Sequence, residues 1–200
     1  EKIFVLAEYA AKLGDYPQTV LVTEEILLDL ADSQTPQGIV AVIQKEEERL
    51  PDFSQGKYLF LEDVQDPGNV GTMIRTADAA GFSGVLVSTQ SADIYSLKTL
   101  RSMQGSHFHL PIYRMPVENF LEQAQKSGLP ILATTLSKDS KDYRELDRLE
   151  DFALVMGNEG QGISQAMADQ ADQLVHINMK GQAESLNVSI AAGILMFYLS

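Results

Sequence analysis

The sequence predicts an α/β fold: a mostly parallel sheet with helices on both faces. Two observations carry this. From Lys57 onward, short strands rich in Val and Leu alternate with helical stretches, the order that parallel strands joined by crossover helices require. The strands are also near-continuous apolar runs, such as YLFL, GVLV and FALVM, so both of their faces must be buried. A hydrophobic content of 44% over 200 residues suffices for one domain, or one domain and a fragment of another.

Residues 1–44 read as a small separate piece. It comprises a helical IFVLAEYAAKL, a TVLVT strand, an EEILLDLA helix and, after a Thr-Pro-Gln-Gly turn, an IVAVIQ strand. Residues 45–56, charged and then containing Pro and Gly, mark a linker whose acidic run is a solvated surface. The main domain, 57–200, begins with a YLFLEDV strand, an NVGTMIRTADAAGF helix, a GVLVS strand, a helix near Tyr95 to Met103, and FHLPIY as a strand. It continues with a VENFLEQAQKS helix, PILATTL and FALVMG strands, a SQAMADQA helix, a QLVHI strand and a strongly apolar final helix. In such sheets ligands bind beyond the carboxyl ends of the strands. The chain starts at Glu1 rather than Met and stops at Ser200 without a helix-ending signal, so it is expected to be part of something longer.

The net charge, 15 − 28 = −13, argues against indiscriminate binding of nucleic acid, which needs clustered Lys and Arg. The exception is local: from Ile94 to Val117 there is no Asp or Glu, while Lys98, Arg101 and Arg114 are present. The absence of cysteine excludes disulfides, thiolate metal sites and thiol catalysis, and three scattered histidines make a His-rich metal site an unexpected one. No run approaches the ~18–20 apolar residues of a membrane span and no signal peptide is visible, so a soluble, cytoplasmic protein is expected.

Three loops carry polar chemistry. In LEDVQDPGNVGTMIRTADAAGF a strand turns at Pro67 and Gly68, Asn69 stands at the expected helix N-cap, and Val70, Ile74 and Ala77 face the core. That leaves Arg75 off the apolar stripe, about one and a half turns beyond Asn69 at ~3.6 residues per turn. In FALVMGNEGQGIS three glycines permit close backbone approach, and Glu159 is either a general base or an acceptor that holds loops together. The loop lacks the Lys-Ser/Thr ending of a phosphate-binding P-loop and the spacing of a dinucleotide fingerprint. In the third, Lys180 to Asn187 separate Met179 from the final helix, with Ser185 or Asn187 as its cap. Ser185 has no partners of hydrolase spacing.

Together the loops resemble the three motifs of the SpoU-type (TrmH-like) RNA ribose 2'-O-methyltransferases of the SPOUT superfamily. DPGNVGTMIRTADAAGF, LVMGNEGQGIS and INMKGQAESLNVSIAAGI stand in family order, and LRSMQGSHFHLPIY between the first two resembles a recurrent family segment. The resemblance covers 57–200. Residues 1–44, with TPQGIVAVI, resemble the C-terminal part of the small RNA substrate-binding domain that precedes the catalytic domain in many members.

The resemblance implies a deep C-terminal trefoil knot, a homodimer, and transfer of methyl from S-adenosyl-L-methionine to a ribose 2'-hydroxyl of structured RNA. Ribosomal RNA is the expected substrate, with tRNA as the alternative. It also implies that Asn69 and Arg75 line the ribose and phosphate side, with Arg75 central. Glu159 would hold the loops, Ser185 and Asn187 would lie near cofactor and arginine, and Gly157, Ile177, Met179 and Leu186 would contact the cofactor, largely through backbone. Lys98, Arg101 and Arg114 are the expected RNA-facing cations. Asn178 departs from the family, which often has proline there. Two rivals come from other classes: a SPOUT-like RNA-binding protein that no longer methylates, which need not bind the cofactor, and a nicotinamide dehydrogenase, disfavoured by its missing glycine fingerprint.

Overall fold

The computed structural model describes residues 2–31, 35–45 and 50–200. The chain forms two compact units, Glu1–Glu47 and Glu48–Ser200. Residues 46–49 of the acidic run lie outside the described residues.

The first unit holds a three-stranded sheet in the order β2-β1-β3, from β1 (Lys2–Val5), β2 (Thr19–Leu21) and β3 (Ile39–Val42). Two helices, α1 (Ala7–Ala10) and α2 (Glu24–Ala31), accompany it. This corrects the expected opening helix. Ile3, Phe4 and Val5 pair with β2 on one side and β3 on the other, so sheet pairing overrides a helical spacing that only Ala7–Ala10 keeps.

The second unit is a seven-stranded sheet, parallel throughout, in the order β6-β5-β4-β9-β7-β10-β8. Its strands are β4 (Lys57–Leu61), β5 (Gly84–Val87), β6 (Ile112–Arg114), β7 (Ile131–Thr134), β8 (Lys141–Asp142), β9 (Phe152–Met156) and β10 (Gln173–His176). The helices are α3 (Pro67–Ala79), α4 (Leu97–Met103), α5 (Val117–Ser127), α6 (Gln165–Gln170) and α7 (Val188–Leu199). The edge strand β8 is too short to announce itself in sequence. The FHL of the expected FHLPIY strand lies outside β6, Phe108 ending a 3-10 turn, Ser106–Phe108, before the chain enters β6.

Side chains alternate between the faces as a strand's period of two demands. Leu59, Leu61, Leu154 and Met156 pack with Val70, Met73 and Ile74 of α3 and Ala192, Leu195 and Met196 of α7. Tyr58, Phe60, Ala153 and Val155 face the other way, onto Phe120 and Leu121 of α5 and Met167 of α6. Phe53, inside the stretch read as a linker, is buried in this second cluster beside Tyr58 and Phe120. The packing of α3 on α4 depends on Gly71, where a Cβ would lie 2.5 Å from the Thr99 carbonyl oxygen and 2.6 Å from Ser102 Cβ.

Because β9 lies between β4 and β7, the strand order reverses there, and the carboxyl ends of β4, β9, β7 and β10 open a crevice. Glu62, at the carboxyl end of β4, is only 2% exposed, and its Oε2 accepts from Ser164 N at 3.2 Å. Burial raises its pKa above the ordinary 4.5, which the Ser164 bond offsets only in part, and Asp63 nearby adds to the rise. The neutral carboxyl is therefore favoured in the fold. The stability it contributes is full below 4.5 and lost as pH climbs through the raised value. Glu62→Gln is neutral at every pH, so its thermal midpoint should fall less than the wild type's as pH is raised through that window.

Candidate active site

The N-cap of α3 is Asp66, not Asn69. The Asp66 side chain accepts from Asn69 N at 2.9 Å, with Pro67 in the first helical position where its missing N–H costs nothing. Asn69 thus sits inside the first turn, with its amide free to reach outward. Its Nδ2 donates to Glu159 Oε1 at 3.0 Å, and its Oδ1 accepts from Asn187 Nδ2 at 3.1 Å. Asn187 is the N-cap of α7, as one of the two expected alternatives has it, accepting from Ser189 N at 2.9 Å.

Glu159 is the hub. Besides Asn69, it accepts from Gln65 N at 3.0 Å and Asp66 N at 3.1 Å, so one carboxylate satisfies three donors of the first loop. Desolvation pushes its pKa up, but the bonds from Asn69 and the Gln65 and Asp66 N–H groups together outweigh it and hold the carboxyl below its usual range. A carboxylate held low is a poor general base. Of its two readings, the loop tether is the one this geometry supports. Asn158 extends the same work, donating to the Asp63 carbonyl at 2.8 Å and accepting from Gly160 N and Gln161 N at 2.9 Å.

Behind this chain of bonds lies a cavity of about 610 Å³ over the ends of β7, β9 and β10. Gly157, Ile177, Met179 and Leu186 all line it, with Glu159 and Ser185. Val175, Val188 and Leu195 add apolar wall, and the 157–162 loop adds backbone N–H and C=O groups. Gly157 cannot carry a side chain: a Cβ would lie 2.3 Å from the Gly162 carbonyl carbon and 2.4 Å from Ile163 N. Sequence reasoning missed Thr134, Thr135, Leu136 and Ser137, which complete the cavity from the end of β7. The signal was available: the strand PILATTL ends in a polar loop at the carboxyl edge, where ligands sit.

Arg75 is exposed on α3 and has no hydrogen-bond or ion-pair partner among the described residues. Lys98 pairs with Asp66 at 2.6 Å, both largely in solvent, and Arg101 is exposed. Arg114 is placed differently. It is half-buried, and its guanidinium donates to the carbonyls of Ser88, Ser91 and Ala92, where it braces the turn after β5. Asn178 is exposed and does not line the cavity.

Comparison with known proteins meets this geometry. The family model described as SpoU rRNA Methylase matches residues 56–197. A Bacillus subtilis protein named 23S rRNA (guanosine(2553)-2'-O)-methyltransferase is 41% identical over 182 residues, 91% of this chain and 72% of that one. A Streptomyces viridochromogenes protein named 23S rRNA (uridine(2479)-2'-O)-methyltransferase is 32% identical over 90% of this chain and 66% of its own length. Among solved structures, an AdoMet-bound rRNA methyltransferase from Sinorhizobium meliloti superposes with a TM-score of 0.85 at 35% identity, covering 98% of this chain and 78% of that one. With the matched family model spanning all three loops, the sheet that carries them and the helix that closes them, the chain belongs to the SpoU rRNA methylase family.

Proposed function

We propose that this protein transfers the methyl group of S-adenosyl-L-methionine to a ribose 2'-hydroxyl of ribosomal RNA. The observation that carries the reading is the bond chain Asn187–Asn69–Glu159, which locks the three loops together at the rim of the cavity. That cavity suits the cofactor. Its volume is within the range of about 300–1,000 Å³ for small-molecule sites, with an apolar wall for the adenine ring and the methylenes beside the sulfonium, and backbone polar groups at its edge. When bound, the cofactor supplies a sulfonium methyl that is already electrophilic.

The chain's remaining task is to align the ribose 2'-hydroxyl with that methyl, so that the O–C bond forms as the S–C bond breaks and the hydroxyl proton passes to water. Gly157, Ile177, Met179 and Leu186 hold the cofactor, and Ser185 faces it from the third loop. Asn69 and Asn187 orient each other at the same rim. Arg75, whose planar guanidinium offers a rigid fork of N–H donors, clamps the phosphate and ribose. Lys98 and Arg101 extend the RNA-facing surface, and the first unit contributes to RNA recognition. The setting is the cytoplasm, in keeping with the ribosomal RNA methyltransferases the chain resembles. No described helix is long and apolar enough to cross a membrane.

Two further features belong to this reading. The C-terminal segment forms a trefoil knot, a reading supported by α7 packing with α3 on one face of the sheet although β10 lies beyond β7 in the strand order. The protein is a homodimer through α7, which is apolar on its solvent side too, with Ile190 56% and Phe197 59% exposed. Sedimentation should show a dimer that Phe197→Asp converts to monomer; an unchanged wild-type monomer with full activity would contradict it.

The activity is tested by incubating the protein and labelled S-adenosyl-L-methionine with ribosomal RNA from cells lacking it, then mapping 2'-O-methyl groups. A new modification at one nucleotide is expected. Neither methyl transfer nor cofactor binding in calorimetry would sink the proposal.

A further inference from the structure

Phe108 is a large aromatic side chain left in water. It is 68% exposed at the end of the 3-10 turn Ser106–Phe108, whereas Phe60, Phe120 and Phe152 are fully buried. Two successive left-handed residues, Gln104 (φ 48°) and Gly105 (φ 89°), end α4 and reverse the chain into that turn. His107 lies against the Phe108 ring, with centroids 3.9 Å apart and planes tilted by 39°.

The turn runs beside Arg75. On α3, Gly68, Gly71, Arg75 and Asp78 recur at the three- and four-residue spacing that places them on one stripe. A Cβ at Gly68 would lie 3.3 Å from Lys98 Cε, and one at Gly71 would touch Thr99 and Ser102. Further along, Asp78 Oδ2 is 3.3 Å from His109 Nδ1. Residues 98–109 therefore follow this stripe in order, and Arg75 falls between the Ser102 and His109 contacts.

We propose that Phe108 is a stacking platform for an unpaired nucleobase of the substrate RNA, seating the strand so that its backbone reaches Arg75. The proposal rests on the RNA reading given above and adds to it the part of the strand that this surface takes. Any base offers a π face to an exposed ring. His107 backs the platform as a neutral ring, because burial, with His109 nearby, lowers its pKa. The segment 94–117 contributes no carboxylate to repel phosphate. Asp66 and Asp78, at either end of α3 along this stripe, are bonded to Lys98 and His109.

The test is filter binding of the full chain to ribosomal RNA prepared from cells lacking the protein, with calorimetry of S-adenosyl-L-methionine alongside. Phe108→Leu keeps apolar bulk but removes the π face. It should weaken RNA binding about tenfold, within the range that stacking of one base provides, and leave cofactor affinity unchanged. Phe108→Trp should bind RNA as the wild type does. RNA binding by Phe108→Leu equal to wild type would overturn the platform while leaving the methyl transfer intact. So would a shift of Phe108→Leu from dimer to monomer in sedimentation, which would make the ring a self-association contact. A wild-type chain that neither binds nor methylates the RNA would overturn the function itself, and the platform with it.

Discussion

Arg75→Ala should lower methyl transfer to RNA by roughly a hundredfold to a thousandfold, the usual cost of removing a preorganised donor from a reacting centre. Cofactor affinity should not change, because Arg75 lies on the exposed side of α3 and does not line the cavity. Stability should stay within about 0.5 kcal/mol, as expected for a surface side chain without partners among the described residues. Single-turnover kinetics, calorimetry and urea denaturation separate the three effects. Arg75→Lys tells the clamp from a base. A lysine keeps the charge but loses the planar two-donor fork, so a clamp is only partly restored and the pH–rate profile is unmoved. A proton acceptor would instead shift the profile toward the lower pKa of lysine, ~10.4. Activity of Arg75→Ala within a few-fold of wild type would remove the residue from the site.

Glu159→Gln should damage both the fold of the site and its affinity for the cofactor. The carboxylate accepts from three groups of the first loop, and an amide in its place must turn an NH₂ toward one of those N–H donors. The residue is partly in solvent, which screens the loss, so about 1–3 kcal/mol of stability is expected rather than the sum of three charge-assisted bonds. Cofactor affinity should fall tenfold or more because Gly157 to Gly162, the loop Glu159 anchors, forms one wall of the cavity. The pH dependence has a definite sign. The folded carboxyl is held below its ordinary 4.5, so its contribution is present above that value and lost as pH falls through the depressed one. The variant should lack this acid-side loss in thermal denaturation. If Glu159→Gln kept wild-type stability and cofactor affinity, the hub would be incidental.

The parts legible in the sequence share a property: each is specified by neighbours along the chain. The apolar runs of β4, β5 and β9 made a parallel, doubly covered sheet readable, and Val70, Ile74 and Ala77 all proved buried on α3. The Asp66 cap could have been read as well, since a proline in the first helical position makes the residue before it the cap. Ile3–Val5 could not, because its strand state depends on partners at 19–21 and 39–42. Arg114 had the same basic character in sequence as Lys98 and Arg101. Only the fold brings the carbonyls of Ser88, Ser91 and Ala92 to its guanidinium.

By itself, the sequence determined the fold class, the order of its elements from Lys57 onward apart from the two-residue β8, and the three loops that would matter, because helical and strand periods and turn residues act over a few positions. Tertiary structure alone decided how those loops meet. Asn69, Glu159 and Asn187 are separated by 90 and 118 residues from the partners they bond, and no local pattern encodes a contact at that range. The insertion of β9 between β4 and β7 brings them together, and with them the cavity that one loop alone could not enclose.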